Sequence, residues 1–208
     1  MIDAIINSAS RPEYMKLAMR SFMKHVKYSG IIRWILHEDV VLKKESGQVL
    51  TWAKYIGHFD LIIKTEPAQR LTHAVKKLFD VSKSKYVLKL EDDWIITNDI
   101  DIDYIIDTMD NNPDINQVYF NKAIQPFEVI LKNGYKVIAP VGKGPHEWAM
   151  APGIWRTNFI KPRWDNVGSA YSVVFPEVIG DYLYGKDDGK PNIRHIGKIS
   201  TSKVKVEK

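Results

Sequence analysis

The chain has 208 residues, 45% of them hydrophobic, and no cysteine. This is enough apolar side chain for the core of one large α/β domain, and it excludes a disulfide framework, a thiolate zinc site and a cysteine nucleophile. No run approaches the ~18–20 apolar residues of a membrane-spanning helix, and the net charge of +5 suits an anionic partner, whether nucleic acid, membrane face or phosphorylated small molecule.

Residues 2–7 read as a short apolar strand. The segment Met1–Asn7 has neither the basic region nor the long apolar core of a signal peptide, and with no cysteine this leads us to expect a cytoplasmic protein. Ser10-Arg11-Pro12-Glu13 has the form of a capping box with proline in the first helical turn. Met15, Met19, Phe22, Met23 and Val26 then recur at helical spacing. Ile31–Leu36 is the second expected strand, ending in His37-Glu38-Asp39, and Leu61–Lys64 is the third. Pro67 opens a second expected helix with Leu71, Ala74, Val75, Leu78 and Phe79 on one face. Val87–Leu90 is a fourth strand. Asp99 or Asp101 starts a third helix, where early aspartates suit the positive end of the dipole. Asn116–Asn121 is a fifth strand, and Val129–Ile138 reads as a hairpin turning at Asn133-Gly134. Residues 139–176 show little periodicity, Val178–Tyr184 reads as a short helix, and 183–208 is a basic tail.

Strand–helix alternation implies a mostly parallel sheet, and ligands in such sheets bind beyond the carboxyl ends of the strands. Three polar clusters follow strands in this way: Ser8–Arg11, His37–Asp39 and Glu91–Asp93. The last, within Tyr86-Val-Leu-Lys-Leu-Glu-Asp-Asp-Trp94, carries the most information. Adjacent carboxylates repel unless a cation or proton relieves them, and Mg²⁺ or Mn²⁺ prefers such oxygen ligands. A solvated acidic turn is the structural alternative. Charge is also unevenly spread. Residues 91–117 hold nine acidic side chains and no Lys or Arg, so the rest of the chain carries +14. An acidic locus in a basic frame favours a metal site surrounded by phosphate-attracting groups.

The order of these motifs resembles the GT-A glycosyltransferases, nearest in style to compact family-2-like enzymes. The resembling segments are Ile5–Pro12, Leu88–Trp94, His146–Arg156 and Arg194–Gly197, spread over nearly the whole chain. The family motif Asp-x-Asp stands here as Glu91-Asp92-Asp93. The resemblance implies a single-domain GT-A mixed α/β sheet, mostly parallel. Residues 1–121 would bind nucleotide-sugar and metal, and 122–208 would form the acceptor side with a hairpin and basic tail. It implies a metal-dependent transferase moving a sugar from a UDP- or GDP-linked donor to a hydroxyl of a carbohydrate, glycoprotein or glycolipid, with inversion. Mn²⁺ or Mg²⁺ would serve as cofactor and no nucleic acid would bind. By resemblance Ser8, Ser10, Arg11, Asp39, Arg70 and Asp92 line the donor pocket, with His73 on the same helix as Arg70. Asp93 coordinates the metal with help from Glu91 and Asp92, and His195 joins the metal shell. Glu177 is the first choice of base, Asp181 the second and Asp165 a weaker third. Trp148, Trp155, Trp164 and Tyr171 crowd the acceptor side, where they serve either as sugar platforms or as core filler. Structural alternatives stand beside each role: a plain cap for Ser10, a turn for Asp39, a dipole-stabilised helix start for Glu177. The basic segments 11–34 and 183–208 give an expectation of peripheral contact with an anionic membrane.

Three rival readings are weighed. A nucleotidyltransferase on a related fold would carry a Gly-rich loop after the first strand, and Ser8–Arg11 has no glycine. A metal-dependent nuclease would bind nucleic acid with steep salt dependence. A non-catalytic sugar-binding module would bind nucleotide without turnover.

Overall fold

The computed structural model describes residues 1–120, 126–130, 136–140, 152–165, 181–184 and 193–195. In chain order the elements are β1 (Ile2–Ser8), α1 (Pro12–His25), β2 (Val26–Lys27), β3 (Ile32–Asp39), α2 (Lys43–Ile56), β4 (Leu61–Thr65), α3 (Arg70–Val81), β5 (Tyr86–Glu91), β6 (Trp94–Ile96) and β7 (Ile100–Asp101). There follow α4 (Ile102–Asn111), β8 (Gln117–Phe120), β9 (Pro126–Ile130), β10 (Lys136–Pro140), β11 (Gly153–Arg156), α5 (Thr157–Asp165), β12 (Asp181–Tyr184) and β13 (Ile193–His195).

Among the described residues nine strands form one sheet in the order β4-β3-β1-β5-β11-β8-β12-β10-β9. The four strands β4, β3, β1 and β5 are mutually parallel. β11 is antiparallel to both neighbours, β5 and β8, and β10 is antiparallel to β12 and β9, so the other strands share one direction. This is the mixed, mostly parallel α/β sheet that the alternating pattern implies. Every residue of β1 is buried, as expected of a central parallel strand covered on both faces.

Each face of the sheet has its own core. Alternate residues of β1, β3 and β5 (Ala4 and Ile6, Trp34 and Leu36, Leu88 and Leu90) join Met15, Met19 and Phe22 of α1, Val49 of α2 and Met109 of α4. The opposite parity (Ile5, Ile35, Val87) packs with Val75, Leu78 and Phe79 of α3, Trp155 of β11 and Ile160 of α5. The largest rings meet edge to face, Phe22 with Trp34 at 4.8 Å and Phe79 with Trp155 at 6.3 Å between centroids, the geometry that aromatic quadrupoles favour.

Several elements depart from the sequence expectation. α2 was not anticipated. It has Gly47 in its first half and no side-chain cap, and only Ser46, Val49 and Ala53 are buried, so its apolar stripe is thin. It stops at Gly57, whose φ of 64° is the left-handed C-terminal conformation glycine accepts freely. The capping box at Ser10 does not form. Arg11 is the residue before α1 and makes no side-chain cap bond, because the Ser10 hydroxyl is engaged elsewhere. The second expected helix starts at Arg70 rather than Pro67. Residues 153–165, expected to be irregular, supply β11 and α5. The helix expected over Val178–Tyr184 is corrected at its end, since Asp181–Tyr184 is a strand paired with β8; the aromatic side chains at 182 and 184 favour a pleated surface. β9 pairs antiparallel with β10 from Ile130↔Lys136 to Pro140↔Pro126, as the arms of the expected hairpin would, and the expected turn at Asn133-Gly134 lies outside the described residues.

Candidate functional site

The parallel strands β3, β1 and β5 end side by side. Asn7 pairs with both His37 and Glu91, and Ser8 with Glu38, which brings all three polar clusters to one edge of the sheet. The Asp92 N–H donates to the Asn7 carbonyl (3.1 Å), carrying that register one residue past β5.

Arg11 links the clusters. Its Nε donates to Asp92 Oδ2 (3.1 Å), Nη2 to Asp92 Oδ1, and Nη1 to Asp93 Oδ2 (2.7 Å). The Ala9 N–H adds a bond to Asp92 Oδ2 at 3.2 Å. Asp92 is fully buried, while the Asp93 side chain keeps 13% exposure and that of Arg11 34%. Burial pushes the Asp92 carboxyl up to about 7, opposed by Arg11 and reinforced by the neighbouring Asp93. Glu91 pairs with the buried ammonium of Lys89 two residues earlier on the same face of β5. The repulsion inherent in Glu91-Asp92-Asp93 is therefore relieved from within the chain, with two cations facing three carboxylates.

The backbone that presents Arg11 is held from below. Ser10 has φ 59°, a left-handed conformation that costs a non-glycine residue roughly 1–2 kcal/mol. Its hydroxyl oxygen accepts from the N–H groups of Val41 (3.0 Å) and Leu42 (2.9 Å), and lies 2.8 Å from Ser46 Oγ. Ser46 donates to Glu38 Oε1 (2.5 Å), and Ser10 N–H donates to the same oxygen at 2.8 Å. With two amides already on its lone pairs, Ser10 gives its own proton to Ser46, which gives its proton to Glu38. Glu38 is fully buried, and its Oε2 has no partner among the described residues. The chain Ser10–Ser46–Glu38 thus ties the β1–α1 loop to the β3–α2 turn and stabilises the conformation that aims Arg11.

On the other face, His37 is 1% exposed and its Nε2 lies 2.9 Å from Thr65 Oγ1. Thr65 Oγ1 also accepts from Lys77 Nζ (2.9 Å). Burial pushes the His37 imidazole down to about 4, Asp39 opposing and Lys77 assisting. Asp39 accepts the Gln69 N–H (2.9 Å) ahead of α3.

The geometry thus brings Ser8, Ser10, Arg11, Asp92, Asp93 and Glu91 together, with Asp39 at the end of the adjacent strand. Arg70 opens α3, beside the Gln69 that bonds Asp39, and His73 is exposed on that helix. His195 pairs with Trp94 across β13 and β6, which sets its backbone one residue beyond Asp93. Asp181 starts β12 level with Gln117 of β8, and through β11 level with Val87 of β5, toward the opposite end of the sheet from Glu91. Asp165 closes α5. Glu177, Trp148 and Tyr171 lie outside the described residues. Trp155 is fully buried against Phe79 and is core rather than a sugar platform. Trp164 lies within α5. Ser46 and Lys89 were not singled out from sequence, and Glu38 stood there only as a member of the His37–Asp39 cluster. The i, i+2 spacing of Lys89 and Glu91 on a strand was the available signal for that pair, and nothing local tied Glu38 to Ser10 and Ser46.

The chemistry of the donor set fits a hard cation. Three carboxylate oxygens already converge on one positive group, the Arg11 guanidinium, and carboxylate oxygen suits Mg²⁺ or Mn²⁺. Among the described residues no group of three His, Cys, Asp or Glu side chains could hold a metal ion by itself. An ion here would rest on Asp93, with Glu91 beside it, and would draw its remaining ligands from phosphate and water, as Mg²⁺ sites usually do. Among the described residues no helix is long and apolar enough to cross a membrane.

No protein-family model matches the chain, and no curated protein matches it by sequence. Solved structures do match in fold. S. aureus TarS 1-349 in complex with UDP-GlcNAc aligns with a TM-score of 0.59 at 12% identity, covering 88% of this chain and 55% of that one. The same protein with UDP aligns at 0.54 and 14% identity, covering 77% and 48%. A mannosyltransferase, PcManGT from Pyrobaculum calidifontis, in complex with GDP-Man and Mn²⁺, aligns at 0.47 and 10% identity, covering 58% and 35%. At such identities the likeness to TarS shows a GT-A-like fold alone, and this chain spans about half the TarS 1-349 structure.

Proposed function

We propose that this chain is a glycosyltransferase that takes its sugar from a nucleotide-linked donor. The observation that carries the reading is the meeting of three polar clusters at the carboxyl ends of β3, β1 and β5, the edge where ligands of open α/β sheets bind. The TarS likeness supports it, because that protein is seen with UDP and with UDP-GlcNAc on the same fold.

In this reading the Ser8–Arg11 loop receives the donor diphosphate. Arg11 supplies a planar fork of donors matched to phosphate oxygens, and the N-terminus of α1 behind it adds the positive end of a helix dipole. Asp39 and Arg70 approach the nucleoside from the β3 side. Asp93, with Glu91 beside it, would hold a divalent cation, and His195 is kept as a further candidate because β13 pairs with β6 directly after Asp93. The bound ion would offset charge on the departing diphosphate. Asp92 keeps Arg11 in place. The acceptor hydroxyl loses its proton to a carboxylate as it attacks the sugar carbon from the face opposite the leaving group, which inverts that centre. Glu177 is our first choice for this base, and Asp181 ranks lower given its position along β12.

Calorimetric titration of UDP and of GDP, each with Mn²⁺ and then with EDTA, tests the reading. Binding of one nucleotide that requires the ion is the expected result, and Asp93→Ala should abolish the ion's contribution. A folded sample that binds neither nucleotide would overturn the proposal.

A further inference from the structure

We infer that Arg11 is a resident counter-cation of the acidic site, a latch that occupies Asp93 until a divalent ion takes its place. The inference rests on the metal site proposed above and assigns a competitive role within it. Arg11 touches its two aspartates unequally. Asp92 is fully buried and receives Nε, Nη2 and the Ala9 N–H, so both its oxygens are fixed. Asp93 receives only Nη1 from this guanidinium and keeps solvent access. The first contact anchors the arginine. The second engages the carboxylate that an entering ion would need.

Charge and geometry both say that the two cations exclude each other. An ion on Asp93 brings positive charge next to the guanidinium and draws on the same carboxylate, so Arg11 opposes the bare ion. A donor diphosphate changes the balance, because it gives Nη1 a new anionic partner. Ion and nucleotide should then bind cooperatively: each is weak alone, and together they draw the Asp93 carboxylate off Nη1 while the Asp92 contacts hold the guanidinium in place. The Ser10–Ser46–Glu38 chain keeps the Arg11 backbone fixed through this exchange, so only the Asp93 carboxylate has to turn.

The test is Mn²⁺ titration without nucleotide, read by the paramagnetic resonance of free Mn²⁺, on the full chain and on Arg11→Gln and Arg11→Lys. Removing the guanidinium should tighten Mn²⁺ binding at least tenfold in Arg11→Gln. Arg11→Lys, which keeps one charge but lacks the fork, should fall between. Adding Asp93→Asn to either variant should erase the gain. Mn²⁺ affinity unchanged or weakened in both variants, with native circular dichroism, would overturn the latch. If Arg11→Gln fails to fold, Arg11→Lys decides alone. Titration of UDP and GDP against the wild type separates this outcome from the transferase reading: Mn²⁺ affinity gained by the variants with no nucleotide bound by the wild type supports the latch and sinks the transferase.

Discussion

His37 makes acid stability a direct test of the buried polar layer at the end of β3. Its imidazole is 1% exposed and held down to about 4, against an ordinary value of 6.5. Between those two pH values the unfolded chain takes up a proton that the folded chain refuses, so this residue's contribution is full above about 6.5 and is lost as pH falls toward 4. A shift of that size corresponds to about 3 kcal/mol, on the order of a third of a typical domain's stability. Asp92 acts in the opposite sense. Its folded carboxyl is pushed up to about 7, so over the same range the folded state holds the extra proton and gains stability as pH falls. The wild-type curve alone could therefore look flat. The informative quantity is the difference between wild type and His37→Gln, measured by urea unfolding at several pH values from 7 to 4. The wild type should lose about 3 kcal/mol relative to the variant across that range. A difference constant to within ~0.5 kcal/mol would refute the reasoning and mean that His37 titrates normally in the fold.

Three further substitutions probe the scaffold. Asp3 is fully buried and accepts from Arg33 Nε (2.7 Å), from the N–H groups of Lys83 and Ser84, and from Ser84 Oγ (3.0 Å); Asp3→Ala should cost about 3–5 kcal/mol in urea unfolding, and a cost below ~1 kcal/mol would show that these donors find other partners. Ser10→Gly should unfold at higher urea than Ser10→Ala by about 1 kcal/mol, because both lose the acceptor for Val41 and Leu42 but only alanine retains the left-handed strain; equal midpoints would remove strain from the account. Arg156 spans the Ile115 carbonyl (2.7 Å), the Tyr86 hydroxyl (3.0 Å) and the Met109 carbonyl at the end of α4; Arg156→Lys should cost about 1–3 kcal/mol and speed amide exchange in the last turn of α4, and unchanged exchange there would argue against this staple.

The first half of the fold was legible in the sequence wherever hydrophobic period and strand-end polarity coincided. Val87–Leu90 running into Glu91-Asp92-Asp93 is such a place, and so is the first strand with Ser8–Arg11 behind it. What relieves the carboxylates was not legible, because Arg11 lies about eighty residues from Asp92 and Asp93 and the pairing exists only once β1 and β5 are neighbours. Ser10 misled for a related reason. Its position before Pro12 has the local form of a cap, but two amides of the β3–α2 turn claim its hydroxyl. α2 escaped notice because its contact with the core is narrow, and β11 because four residues carry no period that stands out.

β11 has a consequence for how the chain is made. It lies between β5 and β8, yet it follows both in the sequence. A nascent chain emerging from the ribosome can pair β1, β3, β4 and β5 as soon as residue 91 is free. Until residues 153–156 arrive, however, one long side of β5 lacks its partner and Val87 lacks the cover that Trp155 provides. An open apolar strand edge invites pairing with another chain. Fragments that stop short of 156 should aggregate even though they contain the entire acidic site, and the open edge persists for the time that some sixty residues take to synthesise, about 3–12 s at ~5–20 residues per second.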